Sequence, residues 1–511
     1  MTGESAHTAS QPALDALVTV VRGARVSGPH QGGVSGAEPV DIVLRDGEIV
    51  EIALSGTSTT GPHAVIIDAA GGYVLPGLWD HHVHFTQWAQ TSRRIDLSGA
   101  TSAADAARIV GERAGAGSGR IEGALFRDAL WSDAPHRSLL DAVAPDREVV
   151  LVSADLHCSW LNSAALVALG IGDHPTGLLR EEESFSMLKQ LDSVPEEVSD
   201  RWVADAAAAA AARGVVGIVD LEMRWNAGDW LRRAAAGHRS LRVEFGIYPE
   251  HLDRAIGAGL ASGAILAGTD GLIEVGPFKV ITDGSLNTRT AYCDDVYPGL
   301  EGTRGAHGIL SVDPEHLTAL LRVATSSGLR CAVHAIGDRA NSFALDAIAE
   351  TGAAGSIEHA QLVRDVDVPR FAELGIAASV QPEHAMDDRD VADVQWAGRT
   401  DRAFVLRSLL DASARVLLGS DAPVAPLDPW VSISAAVGRS RDGREPWHPE
   451  QALTIDEAIE ASTRTGLEYV GVGQPADLIV VDRDPFTATA DELRTMPVRL
   501  TLLGGAVTHR A

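Results

Sequence analysis

Lys279 is one of only two lysines among 42 basic residues, and it sits in an apolar run, Gly276-Pro277-Phe278-Lys279-Val280-Ile281, that reads as a buried parallel strand. A buried cation is costly unless it is paired or neutralised. Arginine would stay charged there, whereas lysine sheds its proton when desolvated or when other cations lie close. A neutral ε-amine can add carbon dioxide and become a carbamate, whose two oxygens can bridge two metal ions. Taken alone, Lys279 also fits an ion pair with a carboxylate such as Asp283. The other lysine, Lys189, lies in a polar stretch and asks for no special account.

The histidines weigh on that choice. Leu78-Trp79-Asp80-His81-His82-Val83-His84 carries imidazoles at i and i+2, which face one side of a strand. His82 and His84 can therefore reach one ion, and neutral imidazole is a common metal ligand. His334 follows Cys331-Ala332-Val333, and His359 follows Ile357-Glu358. Asp421 ends Val416-Leu417-Leu418-Gly419-Ser420. Singly, each histidine also fits a satisfied polar residue, and Asp421 also fits a helix cap. Together, His82, His84, Lys279, His334, His359 and Asp421 all close predicted strands. Four imidazoles, a bridging carbamate and one carboxylate make a two-ion site suited to Zn2+.

Eight apolar strands alternating with helical patterns must position these groups. They are expected near 75–80, 215–221, 241–247, 274–281, 330–334, 355–359, 376–381 and 415–421. That rhythm predicts an α/β fold, a (β/α)8 TIM barrel with its active site at the C-terminal strand ends. Between the first two strands lies an insertion of about residues 86–205 over the barrel mouth, including a strand at 149–153 and a helix at 162–170. An Ala-rich helix at 203–213 feeds the second strand. The barrel is expected to span residues 75–471. Short strands at 18–23, 40–44, 49–53 and 65–68 belong to residues 1–74, with a polar start over 1–15 and a Gly-rich turn at 28–36. Residues 472–511 hold the complementary strands, so one β-sandwich is built from both termini, with the barrel inserted into it.

A net charge of −28 argues against nucleic acid or an anionic membrane surface as a partner. Three cysteines without paired spacing suit a reducing compartment. The first 15 residues lack a basic n-region and an apolar core, and no run approaches the roughly 18 apolar residues of a membrane span. A cytoplasmic protein, with a homo-oligomer open, is expected.

The ordered motifs Pro76-Gly77 through His84, GPFKVITDGSLNTRTA from Gly276, HAIGDRA from His334, IEHAQ from Ile357 and GSDAP from Gly419 resemble the amidohydrolase superfamily. More narrowly, the chain is similar to the subgroup that includes N-substituted formamide deformylase (amidohydrolase family 3), over nearly its whole length. The resemblance implies a metal-dependent hydrolase cleaving the C–N bond of a small-molecule amide: an N-substituted formamide, an N-acyl compound or a relative. It implies that His82 and His84 hold the more buried ion with Asp421, that His334 and His359 hold the second, and that carboxylated Lys279 bridges. It implies a metal-activated water, a second ion polarising the carbonyl, and Asp421 as general base and acid. Two ions are favoured over one.

His81 beside the ligands is expected to support or pack rather than bind. The segment 130–145 is shorter than usual in the subgroup, which changes the expected pocket mouth. Barrel loops should supply the pocket, with His157 and His384 orienting the carbonyl or stabilising the oxyanion. Trp88, Trp131, Trp160, Arg289, Tyr292 and Gln381 are substrate candidates, with Phe85 and Met386 beside them; the aromatics equally fit packing of the insertion on the barrel. Arg289 equally fits a structural ion pair. A lactone or ester hydrolase, or an aminohydrolase, could use the same ions; a strand-five Glu typical of deaminases in this superfamily is missing after His334. A non-catalytic scaffold is disfavoured by the intact ligand set.

Overall fold

The structure is a computed structural model describing residues 18–26, 38–58, 64–113, 115, 119–129, 131–191, 194–466 and 469–511, without the side chains of 189–191. The polar start, the turn at 28–36 and Leu130 lie outside the described residues.

Eight parallel strands form the barrel: β1 (Leu78–Val83), β2 (Val215–Asp220), β3 (Arg242–Ile247), β4 (Ile273–Ile281), β5 (Cys331–Ala335), β6 (Gly355–His359), β7 (Ala377–Val380) and β8 (Val416–Leu418). They neighbour one another in chain order. The ring closes where Asp421 N–H donates to the His82 carbonyl (2.7 Å) and His84 N–H donates to the Ala422 carbonyl (2.8 Å). Two segments carrying candidate ligands thus meet at the closure itself. Apolar residues line both faces of the strands because one face fills the barrel and the other packs against helices. The helix Glu196–Ala211 buries Val203, Ala206, Ala207 and Ala210 in the main core, so small side chains bring its backbone close to the sheet. The helix Pro314–Ser326 starts where Asp313 accepts the His316 N–H and Pro314 supplies a pre-set φ.

The first barrel strand starts later than its sequence suggests. Tyr73–Pro76 pairs antiparallel with Leu478–Val481 and so belongs to the sheet built from the two ends of the chain. That eight-stranded sheet runs through Thr19–Val26, Val40–Arg45 and Glu48–Leu54 on one side and Val498–Leu503 and Ala506–Arg510 on the other. It wraps a separate core of Val21, Ile42, Val74, Leu478, Val480 and Leu502. Gly77 is left as the hinge between the two sheets, and a Cβ there would lie 2.5 Å from both Val216 methyl groups.

The insertion is a lobe with its own five-stranded sheet, ordered Leu178–Arg180, Cys158–Leu161, Val149–Ser153, Ile121–Phe126, Ile95–Asp96. A sheet that size must bury a face, and it does so against the helices Ala103–Arg113 and Arg137–Val143. Phe126, Leu140, Leu151 and Trp160 form that core. No helix among the described residues is long and apolar enough to cross a membrane.

Candidate active site

Parallel register carries the loaded residues to one rim. Ile281 of β4 stands opposite His334 of β5, and Ala335 of β5 opposite His359 of β6. Lys279 is two residues below that edge. From the closure, His82 Nε2 and His84 Nε2 lie 3.3 and 3.4 Å from the same oxygen, Asp421 Oδ1. The His359 ring is 4.4 Å from the His334 ring and 4.9 Å from the His82 ring, centroid to centroid. The structure therefore gathers all six sequence-derived ligand candidates. It adds a seventh group: His384, at the start of the helix Pro382–Gln395, has Nε2 3.8 Å from Asp421 Oδ2 and stacks on His359 at 6.0 Å. Two sets of ligand atoms stand close enough to share an ion, His82–His84–Asp421 and His359–His384–Asp421. His384, read from the sequence as an oxyanion group, thus stands among the residues that could hold an ion. Asp421 and His359 hold φ of +56° and +72°, strained for non-glycine residues, which marks backbone bent to aim these side chains.

Burial lowers the Lys279 pKa, against the pull of the Glu358 and Asp421 carboxylates. Its Nζ is buried and has no hydrogen-bond partner among the described residues. The simple alternative, a Lys279–Asp283 pair, is not formed. Asp283 is buried and saturated by backbone N–H groups of Tyr292 (2.8 Å), Ile336 (3.1 Å) and Gly337 (2.9 Å). Burial and neighbouring cations hold His334 and His359 well below the ordinary imidazole value, so both are neutral and ligand-ready near pH 7. His82 is lowered by burial and by Lys279. Burial works against Asp421 ionising, but His82, His84 and His359 outweigh it and hold the carboxyl well below its usual range.

Three supporting groups escaped the sequence reading. Glu358 accepts from His82 Nδ1–H at 2.6 Å, which turns His82 Nε2 toward Asp421. Its only sequence signal is a carboxylate beside a histidine at the end of an apolar strand. Asp80 accepts from the N–H groups of His82 (3.1 Å) and Ser420 (2.9 Å), tying β1 to the β8 loop. Glu181 holds His157, as described below. His81, by contrast, turns away: its Nε2–H donates to the Thr463 carbonyl at 3.1 Å, and burial lowers its pKa to about 4.

A cavity of about 440 Å³ opens over this rim. Its wall includes Lys279, His334, His384 and Asp421, with apolar area from Leu156, Phe185, Leu188 and Met223. None of the other six substrate candidates lines it. Trp160 fills the lobe core, and Trp131 packs on that core against Phe126. Trp88 packs on Phe85 at the barrel side, and its neighbour Gln87 reaches the cavity instead. The Tyr292 ring lies under the Arg339 guanidinium. Gln381 is buried beside His82 Nδ1 at 3.4 Å, and Arg289 is exposed. Met386 sits in a side core with Trp396.

A sequence profile described as the amidohydrolase family matches residues 65–509, most of the chain. The chain belongs to the amidohydrolase family. This amidohydrolase is 28% identical to a putative amidohydrolase, YtcJ, of Bacillus subtilis, over 88% of its own length and 91% of the relative's. It is 28% identical to an N-substituted formamide deformylase of Arthrobacter pascens, over 90% and 93% of the two chains. A crystal structure of an uncharacterised metal-dependent hydrolase from Pyrococcus horikoshii shares the fold, with a TM-score of 0.76 at 24% identity over 93% and 99% of the chains.

The amidohydrolase rim passes a test of fit to metal ions on its own atoms. Lys279 Nζ, His84 Nδ1, His334 Nε2, His359 Nδ1 and His384 Nε2 are all buried without a hydrogen-bond partner among the described residues. Orphaned buried polar atoms are rare, and here they occur beside two groups, His82–His84–Asp421 and His359–His384–Asp421, whose ligand atoms lie close enough together to hold a cation. Two consequences follow for variants. Glu358→Gln keeps the shape beside His82 but loses the charge that orients it. Affinity for a divalent metal ion, measured by chelator competition, is expected to fall about 10- to 100-fold. Gly419→Ala places a Cβ 2.7 Å from the His82 backbone nitrogen and 2.8 Å from its Cβ. Overpacking of that kind costs about 1–3 kcal/mol, read by denaturant unfolding.

Proposed function

We propose that the protein is a zinc-dependent hydrolase that cleaves the C–N bond of a small-molecule amide, an N-substituted formamide or N-acyl amine, with Lys279 carboxylated as a bridge between two ions. The observation that carries this reading is Lys279 itself, whose amine is buried and without a hydrogen-bond partner among the described residues, near His82, His84, His334, His359 and Asp421. His82, His84 and Asp421 would hold one ion; His359, with His334 or His384, would hold the other. Such ions supply a water nucleophile near neutral pH and polarise the scissile carbonyl.

The chain's own groups do the rest. Asp421 lies between both ligand sets and stays ionised, so it accepts the proton as water adds to the carbonyl carbon. When the C–N bond breaks, Asp421 returns that proton to the leaving nitrogen, giving a carboxylic acid and an amine. The lobe residues Leu156, Phe185 and Leu188 exclude water and hold an apolar substituent. The Arthrobacter pascens relative's name, N-substituted formamide deformylase, supports the amide class. A cytosolic location, which the three buried free cysteines fit, belongs to the same proposal.

The test is zinc stoichiometry together with hydrolysis of a panel of N-formyl amines, N-acyl amines and lactones. Two zinc ions and turnover of an amide are expected. Turnover of lactones alone would transfer the site to ester chemistry, and stoichiometric zinc with no turnover would mark a scaffold.

A further inference from the structure

We propose that Glu181 is the positioning residue for an imidazole, His157, which the inserted lobe presents over the barrel rim as a hydrogen-bond donor to the substrate's carbonyl oxygen. This rests on the hydrolase reading above and adds a second pole to it, supplied by the lobe rather than the barrel.

The lobe's own pairing builds the unit. The strands Cys158–Leu161 and Leu178–Arg180 are antiparallel with Cys158 opposite Arg180, so residues 157 and 181 are the next pair along the ladder. Glu181 N–H donates to the His157 carbonyl at 2.9 Å. In return His157 Nδ1–H donates to Glu181 Oε2 at 2.9 Å. Glu181 holds φ of +50°, a left-handed conformation that a non-glycine adopts only where the surroundings enforce it.

Two further clamps fix the pair to the barrel. Thr290, in the loop after β4, donates its hydroxyl to Glu181 Oε1 at 2.9 Å. Asp155 accepts from His157 N–H (3.2 Å) on one oxygen and from the Ser285 hydroxyl (3.1 Å) of the same barrel loop on the other. The Phe185 and His157 rings pack edge to face, with centroids 5.2 Å apart. With Nδ1 committed to Glu181, Nε2 is the nitrogen left for the cavity, whose wall His157 shares with His334 and Asp421.

A ring whose Nδ1 carries its proton toward a carboxylate can donate through Nε2 only when doubly protonated. The charges that face His157 set that state. Burial opposes the cation, but Glu181, Asp155 and Asp421 outweigh burial and raise its pKa above the ordinary imidazole value. His334 and Asp283 face it from the barrel side. A donor already aimed where negative charge develops costs no reorganisation during the reaction. No proton leaves His157, so the balance of hydrolysis is unchanged.

The experiment uses full-length, zinc-loaded protein and the N-formyl amine of the panel that it turns over fastest. His157→Phe should lower kcat roughly 100-fold or more, with zinc content and unfolding midpoint unchanged, and His157→Gln, which restores a donor, should recover part of the loss. Glu181→Gln removes the carboxylate, so the imidazole should titrate roughly one pH unit or more lower by NMR. Because the donor must be protonated, the alkaline limb of the kcat profile should move to lower pH by the same amount. An unchanged titration in Glu181→Gln, or kcat within three-fold of wild type in His157→Phe, would overturn the proposal. If the zinc-loaded wild type hydrolyses no amide, the hydrolase reading fails instead, and the NMR titration still decides whether Glu181 sets the state of His157.

Discussion

Asp421→Asn should reduce kcat by about 1000-fold, within the ~10²–10⁴ range of a single general acid–base group, while the protein keeps its fold and most of its metal. Asparagine matches the shape of the carboxylate and still offers one carbonyl oxygen to His82 and His84, which share Asp421 Oδ1 in the native rim. It cannot take a proton from water. The loss should therefore appear in kcat and kcat/KM together, with KM little changed, because the interaction removed exists only in the transition state. Steady-state kinetics and zinc analysis on one preparation read both parts. A rate within three-fold of wild type, with zinc bound, would remove Asp421 as the proton carrier.

Lys279→Met should halve the zinc content or worse and abolish turnover, yet stabilise the metal-free protein. The native amine is buried and has no partner among the described residues, a state that costs about 1–3 kcal/mol for an unsatisfied polar group. Methionine has similar length and no polar atom, so the metal-free variant should unfold at higher denaturant than metal-free wild type. Lys279→Arg should also lose metal but destabilise the protein, because its charge cannot be shed and is left buried in β4. An Lys279→Met protein that retains two zinc ions and wild-type turnover would refute the bridging carbamate.

The rim was legible in the sequence because strand-end chemistry is local. His82, His334, His359 and Asp421 each follow an apolar run, and parallel register does the assembling. Partners chosen in three dimensions were not legible. Glu358 could have been any buried acid until the fold set it 2.6 Å from His82. Asp283 looked like a counter-ion for Lys279 by proximity in sequence, but three backbone N–H groups claimed it. His384 is reached only because the helix after β7 starts against Asp421. Trp131 and Trp160 fit pocket and packing equally in the sequence; they pack, because large aromatics go where the most area can be buried and a five-stranded lobe needs a core of its own. The start of β1 was misplaced for a similar reason: Tyr73–Pro76 is apolar for a sheet completed only by residues 478–481. Periodicity cannot distinguish which of two sheets an apolar run joins.

The most direct test of the metal-site account is anomalous X-ray diffraction at the zinc edge from crystals of protein shown to be active before crystallisation. Two anomalous peaks are expected at the rim between Lys279 and Asp421, one beside His82 and His84 and one beside His359, with density continuing from Lys279 Nζ to both. An active protein with no peak at that rim would contradict that expectation.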